Sequence, residues 1–229
     1  MNYSLYLSSN MKIDQSIFSQ IEKILRGKIR SYWTDRYTQI GIYSKRIIKD
    51  IRANLLLDFL ARQWPEMKII WIVRNPIKVV QSQLYLKVKY GWGFDLDENI
   101  ITHKQLIKDW LSPFIKFIKI AKTLPERLIH RWCIENFIPL NQKIYDLPNV
   151  LLVYYDKLVS SKEEWNRISL FLNNTLWNDT KFNNYLKKPS KTFVNKSSQD
   201  FNEILKQYCF CEKTLINIIK MYNLEKFLV

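Results

Sequence analysis

Residues 68–85, KIIWIVRNPIKVVQSQLY, decide how this chain folds. The apolar run Ile69–Val73 predicts a strand buried on both faces, since strands of parallel sheets read as continuous apolar runs. The run stops at Arg74, and Pro76 then opens a helical pattern that carries Ser82. Pro suits the first turn of a helix, where an N–H would have no intrahelical partner. A strand, a basic turn and a helix in this order predict an anion site that uses Arg74 and Ser82.

A second apolar run, VLLVYY at 150–155, predicts another strand of the same kind. Helical patterns cover 13–30, 52–64, 104–122, 126–145, 163–172 and 201–226. Strands that alternate with helices predict an α/β fold in which a parallel sheet is flanked by helices. The 229 residues contain no internal repeat and no linker, so we expect a single domain over 1–229.

The chain is basic, with 36 Lys and Arg against 21 Asp and Glu and a formal net charge of +15. Such a charge favours anionic partners such as nucleotides, sulfated or phosphorylated substrates, nucleic acid or anionic lipid. A genome whose codons favour Lys explains the charge equally well. The aromatic residues fall at core spacing, whereas binders of single-stranded nucleic acid interleave exposed aromatic and basic residues. We therefore do not expect nucleic acid as a partner.

The three Cys form no regular framework, which argues against a disulfide scaffold and favours a reducing compartment. The pair Cys209 and Cys211 is too closely spaced for a zinc knuckle and has no His nearby, so we expect no metal. The first residues lack the basic and apolar regions of a signal peptide. No run reaches the ~20 apolar residues of a membrane span. We expect a cytoplasmic protein without a membrane span.

These elements and their residues resemble the sulfotransferases that use 3′-phosphoadenosine 5′-phosphosulfate (PAPS). The match at 68–85 is the most specific: an apolar strand, Arg, Asn or Asp, often Pro, and Ser eight positions after the Arg. The resemblance implies that Arg74 and Ser82 bind the 3′-phosphate of PAPS. The residue types suit this role, because Arg stays charged and offers phosphate a planar fork of donors.

Weaker matches follow in the family's order, and together they cover about 45–195. The stretch 49–54, before a helix that ends at Trp64-Pro65, resembles a Lys-containing segment of the family. By this resemblance Lys49 is a further cofactor-binding residue, and a solvated cation is the alternative reading. The other matches are Arg131-Trp132 in HRWCIENF, Tyr155-Asp156-Lys157-Leu158 after the second strand, and the basic Pro-Ser segment 188–192.

One motif of the family is missing from this sequence. The family holds the 5′-phosphosulfate on a strand–loop–helix of the type Pro-Lys/Arg-Ser-Gly-Thr-Thr, whereas glycines occur here only at 27, 41, 91 and 93. We therefore expect the family's P-loop NTPase-like fold without its first strand, in a chain that is either truncated at the amino terminus or divergent. The catalytic base is unassigned, because neither His103 nor His130 matches the family's position.

The resemblance implies transfer of a sulfuryl group from PAPS to a hydroxyl or amine of a carbohydrate, lipid or small molecule. The implied partners are a nucleotide donor and an unknown acceptor. The missing loop leaves catalysis by this chain open. Two alternatives remain: a non-catalytic basic protein that binds anions or nucleic acid, and a nonfunctional fragment.

Overall fold

A computed structural model of the chain describes residues 6–29, 47–173 and 198–228. Two strands, β1 (Ile69–Val73) and β2 (Val150–Tyr154), form a parallel sheet in which Val73 pairs with Tyr154. The predicted strands and their parallel arrangement are confirmed, but β1 is not buried on both faces, since Ile72 is 50% exposed. Because parallel strands end at the same edge of a sheet, the residues that follow β1 and β2 lie side by side.

Helices flank this sheet. In the described ranges the α-helices are α1 (Gln15–Leu25), α2 (Leu57–Gln63), α3 (Pro76–Tyr90), α4 (Glu98–Thr102), α5 (Lys104–Leu106), α6 (Ile115–Ile120), α7 (Leu124–Asn141), α8 (Tyr155–Leu158), α9 (Lys162–Phe171), α10 (Ser198–Gln207) and α11 (Glu212–Met221). Short 3₁₀ turns cover Ala53–Leu56, Ile144–Asp146 and Glu225–Phe227, and a π-helical turn covers Ile107–Leu111.

Local side-chain chemistry sets the bounds of the helix that follows β1. Asn75 caps α3, since its side-chain oxygen accepts a hydrogen bond from the Lys78 amide, and Pro76 opens the first turn. Gly91 ends α3 in the left-handed conformation, with φ of 66°. This conformation is strained for residues that carry a Cβ atom, so glycine is the usual residue there. The prediction of a helix from Pro76 is confirmed.

Two of the long predicted helices are wrong, because the chain breaks inside each of them. The pattern at 104–122 gives α5, a π-helical turn and α6. Pro113 lies between the π-helical turn and α6 and interrupts the helix, because it has no N–H to donate. The pattern at 201–226 divides between α10 and α11, and Cys209 adopts a φ of 53° between them. The predicted loop at 188–192 lies outside the described residues.

Helix α7 is the centre of the core and packs against α3, α11 and the 3₁₀ turn Ala53–Leu56. Its residues Leu128, Ile129, Ile134 and Ile138 are buried. Burial of an aliphatic side chain of this size contributes about 1.5–3 kcal/mol. These contacts fix α3 relative to the sheet, and α3 carries Ser82, one of the predicted site residues. No helix in the described parts of the chain combines the length and the apolar character needed to cross a membrane.

Candidate anion-binding site

Arg74 follows β1 directly, and Tyr155 follows β2 directly. The central carbon of the Arg74 guanidinium lies 4.7 Å from the centroid of the Tyr155 ring. The parallel register brings the two together, since the residues before them, Val73 and Tyr154, are paired. A cation over an aromatic face gains about 0.5–1 kcal/mol at an exposed site and more where water is excluded. The ring therefore holds the guanidinium at the carboxyl edge of the sheet.

The Nε atom of Arg74 is buried and has no hydrogen-bond partner among the described residues. An unpaired buried donor costs about 1–3 kcal/mol, and native structures contain few of them. Contact with the Tyr155 ring face does not use this N–H group in a hydrogen bond. Arg74 thus combines a fixed position with an unused donor, which is the arrangement that an anionic ligand needs.

The amino end of α3 lies beside Arg74 and adds positive potential. Asn75 binds the Lys78 amide, whereas the Ile77 amide has no intrahelical partner because it lies in the first turn. The aligned peptide dipoles give this end of a helix a partial positive charge. Arg74 and the first turn of α3 therefore present charge of the same sign at one edge of the sheet.

The other two predicted site residues are Ser82 and Lys49. Ser82 is half-buried on α3, seven positions after Asn75 and on the same face of the helix, about 10 Å along its axis. Lys49 is exposed in the segment before the 3₁₀ turn Ala53–Leu56. Arg74 directly follows β1, and Ser82 lies on α3, the next helix. The exposed Lys49 side chain faces solvent.

An acidic residue also lies at this edge. The Lys78 ammonium forms an ion pair with Asp156 at 2.9 Å, and about half of the Lys78 side chain is exposed. Lys157 places its ammonium 5.5 Å from the Tyr154 ring. The carboxylate of Asp156 partly offsets the positive charge that Arg74 and Lys78 contribute.

A model described as the sulfotransferase family matches residues 9–179 of the chain. This range holds both strands and all three predicted site residues. The chain belongs to the sulfotransferase family. Its mixed α/β fold, with a small parallel sheet flanked by helices, is consistent with that membership. No curated protein and no solved structure matches the chain.

Sequence reasoning missed a partly buried ion pair of this sulfotransferase domain. Arg131 donates from Nε to Glu135 at 2.8 Å, one turn apart on α7, and its Nη1 donates to the Asp95 carbonyl. Burial raises the pKa of Glu135, although the charges of Arg131 and Arg52 oppose that shift. The 3₁₀ turn Ala53–Leu56, which follows Arg52, packs against α7. The spacing of four residues in HRWCIENF was a recognisable signal.

Both histidines of the sulfotransferase domain have structural partners. His103 accepts the Leu106 amide through Nδ1 at 3.2 Å and caps α5. His130 is buried, and its Nδ1 lies 3.0 Å from the Tyr222 hydroxyl. Neither histidine has a contact with Arg74 in the described parts of the chain. The described residues hold no group of three or more His, Cys, Asp or Glu that could bind a metal ion.

Proposed function

We propose that this sulfotransferase-family chain binds PAPS at the carboxyl edge of the sheet, with the 3′-phosphate on Arg74 and the first turn of α3. The buried Arg74 Nε without a partner is the observation that carries the proposal. Phosphate oxygens suit it, because guanidinium hydrogen bonds to phosphate are charge-assisted and often bidentate. In the same proposal Ser82 adds a hydroxyl donor and Lys49 a further cation.

The proposed reaction is sulfuryl transfer to a hydroxyl or amine of a carbohydrate, lipid or small molecule. PAPS supplies the activated sulfuryl group. Preorganised donors lower a barrier of this kind when they face the leaving 5′-phosphate, whereas the cations at the carboxyl edge are proposed to anchor the 3′-phosphate. A base must also take the proton of the acceptor. The sequence offers no glycine-containing loop for the 5′-phosphosulfate, so we expect the donor to bind mainly through its 3′-phosphate and sulfuryl transfer to be slow.

Titration calorimetry with two nucleotides tests the binding proposal. Adenosine 3′,5′-bisphosphate is expected to bind more tightly than adenosine 5′-monophosphate, because only the first carries the 3′-phosphate. Arg74→Met is expected to remove about 1.5–3 kcal/mol of affinity for the bisphosphate, the value of a hydrogen bond to a charged group, and with it the preference.

A matched control removes a guanidinium elsewhere. Arg62 pairs with Asp58 at 2.7 Å on α2, which leads into the opposite end of β1. Arg62→Met is therefore expected to leave the affinity for the bisphosphate unchanged. Equal affinities of the wild type for the two nucleotides, or unchanged binding by Arg74→Met, would show that this edge is not a 3′-phosphate site.

Release of adenosine 3′,5′-bisphosphate from PAPS, followed with a panel of sugar, lipid and phenolic acceptors, tests the reaction. We expect binding without rapid turnover. Fast release that depends on an acceptor would mean that residues other than the family's glycine-containing loop hold the phosphosulfate.

A further inference from the structure

The 3₁₀ turn Glu225–Phe227 and the next residue, Leu228, form a segment that we call the closing turn. It lies against the edge of the sheet that carries Arg74. The Asn75 side chain donates from Nδ2 to the Leu228 carbonyl at 2.8 Å, across 153 positions of the sequence. Asn75 is buried and uses its side-chain oxygen to cap α3. Both ends of this amide are therefore occupied, and they join the closing turn to the residue that follows Arg74.

Phe227 joins the same turn to the second strand. Its ring is 3% exposed and stacks on Tyr154, with centroids 5.7 Å apart and planes at 27°. The Phe227 ring also contacts Trp132 on α7, at 5.8 Å in an edge-on arrangement. Tyr154 is the last residue of β2 and immediately precedes Tyr155. The closing turn thus holds the end of β2 through an aromatic stack.

The two contacts meet at the proposed anion site. One leads from Leu228 through Asn75 to Arg74, and the other leads from Phe227 through Tyr154 to Tyr155. We infer that Asn75 and Phe227 are positioning residues, through which the closing turn sets the placement of Arg74 over Tyr155 and so the affinity for the 3′-phosphate. The inference rests on the proposed function and adds the elements that control the site.

Coupling of this kind acts in both directions. If docking of the closing turn strengthens binding of an anion by some factor, binding of the anion stabilises the docked turn by the same factor. A ligand on Arg74 is therefore expected to protect the amides of residues 224–228 from hydrogen exchange. A general increase in the stability of the core would not by itself link anion binding at Arg74 to slower hydrogen exchange at 224–228.

Two substitutions interrupt the two contacts separately. Asn75→Ser keeps a side-chain oxygen that caps α3 as well as Asn does, but the shorter side chain does not reach Leu228. Phe227→Leu keeps an apolar side chain and removes the ring that stacks on Tyr154. Each variant is expected to bind adenosine 3′,5′-bisphosphate about fivefold or more weakly, the lower end of typical coupling between sites.

The matched control is Phe137→Leu. Phe137 packs edge-on against Trp110, Phe114 and Tyr222, none of which belongs to β1 or β2. This change is expected to lower the melting temperature as Phe227→Leu does, and to leave the affinity for the bisphosphate at the wild-type value. Phe227→Tyr, which restores a stacking ring, is expected to recover most of the affinity.

Hydrogen exchange with and without saturating adenosine 3′,5′-bisphosphate completes the test. Slower exchange at 224–228 in the wild type, lost in Arg74→Met, is the expected result. If the wild type binds the bisphosphate while Asn75→Ser and Phe227→Leu bind it equally well, or if exchange at 224–228 does not change, the positioning role is wrong and the proposed function stands. If the wild type does not bind the bisphosphate, both are wrong.

Discussion

The Arg74 guanidinium lies 4.7 Å from the centre of the Tyr155 ring, where β1 and β2 end together. An aromatic face attracts a cation without accepting its N–H groups in strong hydrogen bonds. An Asp or Glu at position 155 would instead hold the same guanidinium and compete with phosphate for its donors. Tyr155 therefore fixes Arg74 and leaves it able to bind an anion, which explains how a buried Nε without a protein partner fits the proposed function.

This relationship predicts different effects of two changes at Tyr155. Tyr155→Phe keeps the aromatic face and is expected to bind adenosine 3′,5′-bisphosphate as the wild type does. Tyr155→Leu removes the face and is expected to lose about 0.5–1 kcal/mol of binding free energy, a two- to fivefold change. Titration calorimetry measures both. Tyr145→Leu, at an exposed position before β2, is the control for loss of a tyrosine. Equal losses in the Phe and Leu variants would assign the effect to the hydroxyl group.

Asp156 is expected to weaken anion binding through its charge. Asp156→Asn removes the carboxylate that pairs with Lys78 and leaves the ammonium to the ligand. Because the pair is largely exposed, the free energy of unfolding is expected to change by less than about 1 kcal/mol. The affinity for adenosine 3′,5′-bisphosphate is expected to rise, and to rise most at low salt, where screening is weakest.

Asp146→Asn is the control for that change, since it alters the net charge equally. Asp146 is exposed in the 3₁₀ turn before β2, at the opposite end of the strand from Asp156. Only Asp156→Asn is expected to tighten binding. An equal gain from both variants would indicate a general effect of net charge and no local role for Asp156.

The sequence predicted those features around the site that depend on near neighbours in the chain. The strand before Arg74, the helix start at Pro76 and a second strand at 150–154 all follow from local patterns. The contact between Arg74 and Tyr155 does not, because it depends on the register between two strands far apart in the sequence. The stack of Phe227 on Tyr154 could not be predicted from the sequence for the same reason. The closing turn was missed because a single helix was predicted over 201–226.

Other differences arise from competition between local signals. The apolar spacing at 104–122 favoured one helix, but Pro113 cannot supply the amide that a continuous helix requires. The direction of Lys49 had no local determinant, since a long exposed side chain samples many orientations. Apolar patterns in the sequence thus predicted where the elements lie, whereas the orientation of individual polar side chains could be seen only in the structure.

The loop after α3 provides a pair of glycines for a test of backbone strain. Gly91 has φ of 66° and Gly93 lies outside the left-handed region, while an added Cβ atom would meet nothing within 4 Å at either position. Gly91→Ala is expected to lower the free energy of unfolding by about 1–2 kcal/mol through strain alone. Gly93→Ala is expected to be neutral or to stabilise by about 0.4–1 kcal/mol, because Ala restricts the unfolded chain. Urea unfolding compares them, and equal losses would contradict a conformational cause.

His130 predicts how stability depends on pH. The side chain is 2% exposed, and its Nδ1 lies 3.0 Å from the Tyr222 hydroxyl. Burial lowers the pKa of His130 from 6.5 to about 4, and the charge of Glu126 opposes this shift. Burial also raises the pKa of Tyr222, so its hydroxyl stays neutral. The folded protein therefore keeps His130 uncharged at a pH where the unfolded chain already binds a proton.

Between about pH 6.5 and pH 4 the unfolded state holds more protons at this position than the folded state. The free energy of unfolding must therefore fall as the pH is lowered through that window, by about 3 kcal/mol from this residue. His130→Asn removes the titrating group, so urea unfolding across the window is expected to show a flatter dependence than the wild type. Parallel curves for the wild type and His130→Asn would mean that water reaches the imidazole in the folded protein.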